Sequence, residues 1–405
     1  MALAPGALPA RATARRGGGM AVERARAALR RAVPGIAWRD ERLAERAAQV
    51  EELRRRLRQV EQQLARQQEP RRDATRPGRS TAPSFRQHVH ELRRGVEELR
   101  ALDPGAGHPL LQVARKLRNH RLAASHGVPV PEVLSVWRAA DQIDLSGLPD
   151  EFVLKSDGGA GGHGVLPLRR VAPDRYRLVG GGGDRAEEDD APDLSGADVV
   201  EHYRTASRVE GPFFAEAMLV RPGVEGLPDD IKVYAFYGEV GQVLLRRMDV
   251  HADLSKARYR FLGGDGADLG PDASTTHRID PSIPAPDDLE TYLDLARHLS
   301  RAMALPFVRV DLYETAAGPV LGELTRGPGG AQLYRKDHDA AMGLRWERAQ
   351  YRLDLDVLAG RPLANLHGEH PAVDHYPQGH PSQAAGWPVV TAPCARWCGA
   401  VPAPV

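Results

Sequence analysis

The chain has 405 residues, with 55 Lys and Arg against 54 Asp and Glu, for a net charge of +1. That balance excludes a general polyanion-binding surface, so nucleic acid is not an expected partner. No run of about 18 apolar residues is present to span a bilayer, and the Arg-studded start lacks the apolar core of a secretory signal, so a cytoplasmic protein is expected.

Length predicts two or three domains. Residues 1–39, mostly Ala, Gly, Pro and Arg, cannot bury enough surface to offset chain entropy and read as a disordered tail. In residues 40–68, Leu43, Val50, Leu57 and Leu64 recur every seven positions, with Leu53 and Val60 between them and Arg46 interrupting. This spacing predicts a coiled-coil helix of about four heptads, which either pairs with itself or a partner or stands alone in solvent. Residues 69–84 read as a linker, and residues 85–360 as the main folded domain.

Within that domain the pattern predicts helices over Phe85–Leu102 and Leu110–His126, the second stopped by Gly127 with Pro129 and Pro131 beyond it. From Glu132 to about Gly343, β-branched and aromatic runs alternate with loops. They lie at 132–137, 152–154, 164–168, 176–179, 213–220, 231–237, 240–247, 307–313 and 320–324, with one clear helix at 287–304. Neighbouring strands in hairpin-like pairs point to antiparallel sheets, hence α+β. Residues 361–405, rich in Pro and carrying His367, His370, His375 and His380, read as a disordered tail without a metal. Cys394 and Cys398 have no second Cys pair, so neither a disulfide framework nor a zinc site is expected.

Only five of the 55 basic residues are lysine, at 116, 155, 232, 256 and 336. Where a compact ammonium persists among so many guanidiniums, monodentate contact with a phosphate oxygen is one reason. Lys155 closes the apolar run Phe152–Leu154 and precedes Ser156, Gly158, Gly159, Gly161, Gly162 and Gly164. Nearly side-chain-free backbone beside an ammonium can cradle phosphates; the same run also suits a plain hairpin loop. It is neither a Walker A nor a dinucleotide turn, since the Lys precedes the glycines and a strand follows them.

Asp311 and Glu323 sit in two apolar runs joined by a short turn. Paired strands would bring the carboxylates together as hard oxygen ligands for Mg²⁺, or leave them facing solvent and bridged to Arg309 and Arg326. The run from Phe213 to Val220, with Glu216, Met218 and Leu219, can form either a purine slot or a core strand. Arg246 can hold a transferring phosphoryl group or serve a surface ion pair.

In this order the segments resemble the ATP-grasp superfamily, and more closely its TupA-like branch of amide ligases, over roughly Leu110–Arg348. The matching stretches are Lys116-Leu117-Arg118-Asn119, Phe152–Lys155 with its glycines, Asp230-Ile231-Lys232, Arg309–Tyr313 and Gly322–Thr325. The resemblance implies an ATP-grasp fold, two α+β subdomains closing over ATP. Lys116 and Lys155 would contact phosphates beneath the glycine loop, with Glu216, Met218 and Leu219 at the adenine and ribose. Asp311 and Glu323 would hold one or two Mg²⁺, with Thr325 where many members carry Asn. Lys232 and Arg246 are the catalytic candidates. The implied reaction joins a small-molecule or polymer-linked carboxylate to an amine through an acyl phosphate, in cell-envelope polysaccharide or peptide-conjugate synthesis. A coiled-coil interaction protein with a vestigial nucleotide module and an ATP-grasp kinase are the alternatives.

Overall fold

A computed structural model describes residues 46, 49, 50, 53, 82–159, 164–179, 193–206, 209–220, 228–248, 256–330, 332–383, 389–390 and 394–399. The chain divides into two units, Met1–Ser80 and Thr81–Val405. In the first, Arg46, Gln49, Val50 and Leu53 are helical and exposed. The remaining heptad positions Leu43, Leu57, Val60 and Leu64, the tail 1–39 and most of the linker lie outside the described residues.

The second unit is built on two antiparallel sheets, making it the expected α+β. Helix α1 (Phe85–Leu102) starts at Ser84, whose Oγ accepts from Gln87 N at 3.2 Å and donates to Asp339 Oδ2 at 2.6 Å. The second expected helix divides into a turn, α2 (Pro109–Gln112), and α3 (Lys116–Ser125). Gly127 adopts φ +75° after α3 and Val128 N returns to Ala123 O at 3.0 Å, so the glycine stop works as the sequence indicated.

The first sheet runs in the order β1 (Val133–Trp137), β6 (Glu210–Ala217), β2 (Glu151–Gly158), β3 (Val165–Ala172), β4 (Arg175–Leu178), β5 (Leu194–Ser195). Helix α4 (Gly196–Thr205) covers one face, where Val199 and Tyr203 pack on Phe152, Leu154, Leu168, Phe213 and Ala215. Because side chains alternate along a strand, Val153, Lys155, Asp157, Phe214 and Glu216 share the other face.

The second sheet is ordered β11 (Gly318–Thr325), β10 (Val308–Thr315), β7 (Asp230–Phe236), β8 (Glu239–Arg247), β9 (Arg258–Gly263). Helix α5 (Leu289–Ala302) packs Tyr292, Ala296 and Leu299 on Ile231, Val233, Val243, Leu245, Val310 and Leu312. The reverse face is divided. At one end Phe85, Tyr234, Phe236, Phe307 and Trp346 form an aromatic core under α1 and α6 (Lys336–Leu358). At the other end the same alternation presents Asp230, Lys232, Arg246, Arg309, Asp311, Glu323 and Thr325. Both sheets therefore turn a greasy side to their own helix and a charged side elsewhere.

Two expectations need correction. Residues 361–383 are not a loose tail: Arg361 and Leu366 are buried, and Tyr376 packs with Leu117 and Phe214. Few apolar residues suffice there because the surface that they cover is preformed. Cys394 and Cys398, expected unpaired, are joined by a disulfide on the short helix α7 (Cys394–Trp397), where a Cys-x₃-Cys spacing brings their Cα atoms to 5.3 Å. Among the described residues no helix is long and apolar enough to cross a membrane.

Candidate active site

On the second sheet Asp311 and Glu323 are direct cross-strand partners in the β10–β11 register. The sequence expectation that the two acids share one face thus holds. Thr325 stands opposite Arg309 in the same ladder, and its Oγ1 lies 3.4 Å from Arg309 Nη2. Asp311 accepts from Lys232 Nζ at 2.7 Å and from Arg309 Nε and Nη2 at 2.6 Å each. Lys232 also approaches Asp230 Oδ1 at 3.2 Å, and Arg246 Nε donates to Asp230 Oδ2 at 2.7 Å. The ion pair to Arg309 exists, whereas Arg326 donates to the carbonyl of Leu110 instead.

Asp230, Lys232 and Asp311 are all buried. Burial alone would raise both aspartates; Arg309 and Lys232 hold Asp311 below the usual carboxylate range, and Lys232 and Arg246 do the same to Asp230. Such a network stands only while every charge keeps its partner. The catalytic candidates Lys232 and Arg246 are therefore positioned by carboxylates of β7 and β10.

On the first sheet Lys155 Nζ pairs with Glu216 Oε1, both buried. Glu216 Oε2 lies 3.8 Å from His120 Nε2 on α3. Burial raises the Glu216 carboxyl despite Lys155, and burial with the nearby Lys155 charge pushes the His120 imidazole down to about 3. Lys116 Nζ reaches Gly159 O at 3.5 Å. Its helix has no cap from its own side chains; the buried Asp157 on β2 accepts from Leu117 N at 2.9 Å in their place. Tyr376 OH donates to the same carboxylate, at 3.1 and 3.0 Å from its two oxygens. Asn119 Nδ2 donates to Leu324 O at 3.0 Å on the other sheet, so α3 touches both.

The two charged faces come within electrostatic reach of one another. The Tyr313 hydroxyl is raised by Asp230 first, then by burial, Asp311 and Glu216. Gly159 adopts φ +146°, and a Cβ at Gly164 would overlap Ser156 Oγ, so both positions demand glycine. Gly161 and Gly162 lie outside the described residues. Met218 and Leu219 follow β6 half-buried.

These residues suit a nucleotide with Mg²⁺. Among the described residues His120 Nδ1 and Nε2, Ser156 Oγ and Glu216 Oε2 are buried without a hydrogen-bond partner, beside Lys155. Unpaired buried polar atoms are costly and mark a place for a polar ligand. Asp311, Glu323 and Thr325 offer hard oxygens on one sheet face, as a divalent cation requires. Asp157, His120 and Tyr376 escaped the sequence reading, and Asp230 entered it only as part of a matching stretch; Asp157, His120 and Asp230 are single polar positions whose role depends on the packing of separate elements, and Tyr376 lies far along the chain.

Residues 214–346 match the family described as TupA-like ATPgrasp. Over this segment the chain is similar to that family. It contains the whole second sheet with Glu216, Lys232, Arg246, Asp311, Glu323 and Thr325, and leaves Lys116, Lys155 and the glycine turn to the geometry above. Among solved structures the chain is similar to the D-alanine–D-alanine ligase from Bacillus anthracis complexed with ATP, at 12% identity and a TM-score of 0.36, covering 66% of this chain and 74% of that one. It is also similar to the RimK domain protein ATP-grasp from Sphaerobacter thermophilus DSM 20745, at 14% identity and TM-score 0.33, with 59% and 67% covered. A third is the VanG D-Ala:D-Ser ligase from Enterococcus faecalis, at 12% identity and TM-score 0.34, with 60% and 63% covered. No curated protein matches.

Proposed function

We propose that this chain is an ATP-dependent carboxylate–amine ligase whose nucleotide sits between the two charged faces. The observation that carries the reading is the Asp311–Glu323 pair, in register on the face that also bears Lys232 and Arg246, together with the buried Lys155–Glu216 pair on the other sheet. Lys155 and Lys116 would bind phosphate oxygens, and Ser156, Gly158, Gly159, Gly161, Gly162 and Gly164 would cover them. Glu216, Met218 and Leu219 would line the adenine and ribose. Asp311 and Glu323, with Thr325 beside them, would hold Mg²⁺, which when bound neutralises phosphate charge.

A carboxylate oxygen of the acid substrate attacks the γ-phosphorus as ADP leaves, giving an acyl phosphate. The amine nitrogen then attacks the acyl carbon, inorganic phosphate departs and the amine loses a proton. Lys232 and Arg246 would stabilise charge on the transferred group, and Lys155 would help orient it. The acid and amine are small or polymer-linked, in envelope polysaccharide or peptide-conjugate synthesis, and the setting is cytoplasmic. Hydroxylamine decides the reaction class: a hydroxamate formed with ADP supports the ligase, whereas ADP release without one supports a kinase. Parental ADP release in both Lys155→Ala and Asp311→Asn would sink the site assignment.

A further inference from the structure

Away from the charged faces, three buried side chains from distant parts of the sequence meet: His126 after α3, His298 on α5 and Cys394 on α7. Their potential ligand atoms lie within 4.8 Å of one another. His126 Nδ1 is 3.0 Å from His298 Nε2 and 3.6 Å from Cys394 Sγ. The fourth potential ligand atom, Cys398 Sγ, is bonded to Cys394 Sγ, and Cys398 is buried too. We propose that, once this disulfide is reduced, His126, His298, Cys394 and Cys398 form a tetrahedral Zn²⁺ site, so that the cluster alternates between a disulfide and a metal centre.

The tautomer of His126 is set for ligation. Its Nε2 lies 2.8 Å from the Leu366 carbonyl, which can only accept, so Nε2 carries the hydrogen and Nδ1 keeps a lone pair facing the cluster. A ligating histidine whose other N–H is held by a backbone carbonyl is the usual outer-shell arrangement of zinc. The Cys-x₃-Cys spacing falls in the range that structural zinc sites use, and two thiolates with two imidazoles make a complete set. Tetrahedral ligands at 2.0–2.3 Å from zinc stand about 3.3–3.8 Å apart, close to the separations already present around His126 Nδ1. The two sulfurs must move apart, from a covalent bond to about 3.7 Å, so disulfide and metal exclude each other.

The chemistry balances with a dithiol reductant. Two electrons and two protons pass to the Cys394–Cys398 bond, giving two thiols, while the dithiol becomes its own disulfide. Zinc uptake then expels the two thiol protons to solvent.

Co²⁺ is the probe. The dithiol-reduced full chain is expected to bind one equivalent, with a thiolate-to-cobalt charge-transfer band and tetrahedral d–d bands that added Zn²⁺ erases. The oxidised chain is expected to show neither. Cys398→Ser should weaken the charge-transfer band and lower affinity more than about 10-fold, and His126→Asn should lower affinity similarly while keeping the band. Circular dichroism confirms that each variant is folded; Cys398→Ser, which conserves size, serves if His126→Asn is not. Absence of a thiolate–cobalt band in the reduced folded chain, or equal Co²⁺ affinity in the oxidised chain, overturns the proposal.

Discussion

At the scale of single residues, His120 makes the sharpest prediction because it is a base held neutral beside Lys155, Lys116, His375 and Glu216. Its value is 6.5 when unperturbed and about 3 in the fold. Between those limits the unfolded chain binds a proton that the native chain refuses, so stability is intact above pH 6.5 and falls as pH drops toward 3. The loss at pH 5 is about 2 kcal/mol, at roughly 1.4 kcal/mol per unit. Denaturant unfolding of the parent and His120→Asn across pH 6.5 to 5 should differ in slope by close to one proton; equal slopes would refute the neutral histidine. Lys232→Met should leave Asp230 and Asp311 short of a cation and cost about 3–5 kcal/mol, read as a fall in the urea midpoint. A midpoint within error of the parent would mean that the network is not closed.

Asp311 and Glu323 stood out in the sequence because a charge inside an apolar strand is rare without a partner, and Lys155 and Lys232 because lysine is scarce among so many arginines. Asp157 gave no such signal: it reads as one more loop residue before the glycines, and its capping of α3 depends on a helix forty residues earlier. Arg309 was visible only as an ion-pair alternative, and the structure shows it gripping Asp311 with two hydrogen bonds.

Among elements, the glycine turn between β2 and β3 can be tested by geometry. Gly164→Ala should destabilise by about 1–3 kcal/mol through overlap with Ser156 Oγ, and Ser156→Ala in the same chain should restore most of it. Additive losses in that double-mutant cycle would show the overlap to be harmless. Asp157→Ala should cost at least the roughly 1 kcal/mol of a lost helix cap and weaken nucleotide binding by loosening Lys116. Thermal melting and a fluorescent-nucleotide titration separate the two effects.

Element by element, nine strands and three helices follow from period and stop signals. The sequence reading passed over β9, although Tyr259 and Phe261 alternate with Arg258 and Arg260. Those arginines pair with Asp280 and Asp268 along a sheet edge, which made the run look like a polar loop. Helix α6 escaped as well. Its buried stripe, Met342, Trp346, Ala349 and Leu353, is narrow, and Leu344, Tyr351, Leu355 and Leu358 stand exposed among its charges, which blurs the period.

For the molecule as a whole, a ligand that binds only the native state must raise its melting temperature. Mg²⁺ with ATP at about 100 times Kd should add roughly 2.7 kcal/mol, and chelation should remove much of it; no shift at saturating nucleotide would argue against a bound nucleotide altogether. The C-terminal stretch belongs to the same unit of stability. Deleting residues 361–405 takes away Tyr376 and Leu366 and should lower the melting point sharply.

Tyr376 reaches Asp157 across 219 positions of sequence. During synthesis the chain emerges from its N-terminal end, so Lys155, Asp157 and the glycine turn leave the ribosome long before the tyrosine that braces them. A product that stopped short of residue 376 would carry Lys116 and Lys155 and still lack the tyrosine that braces Asp157. The bracing of Asp157, and with it the cap of α3, is therefore complete only once residue 376 has emerged.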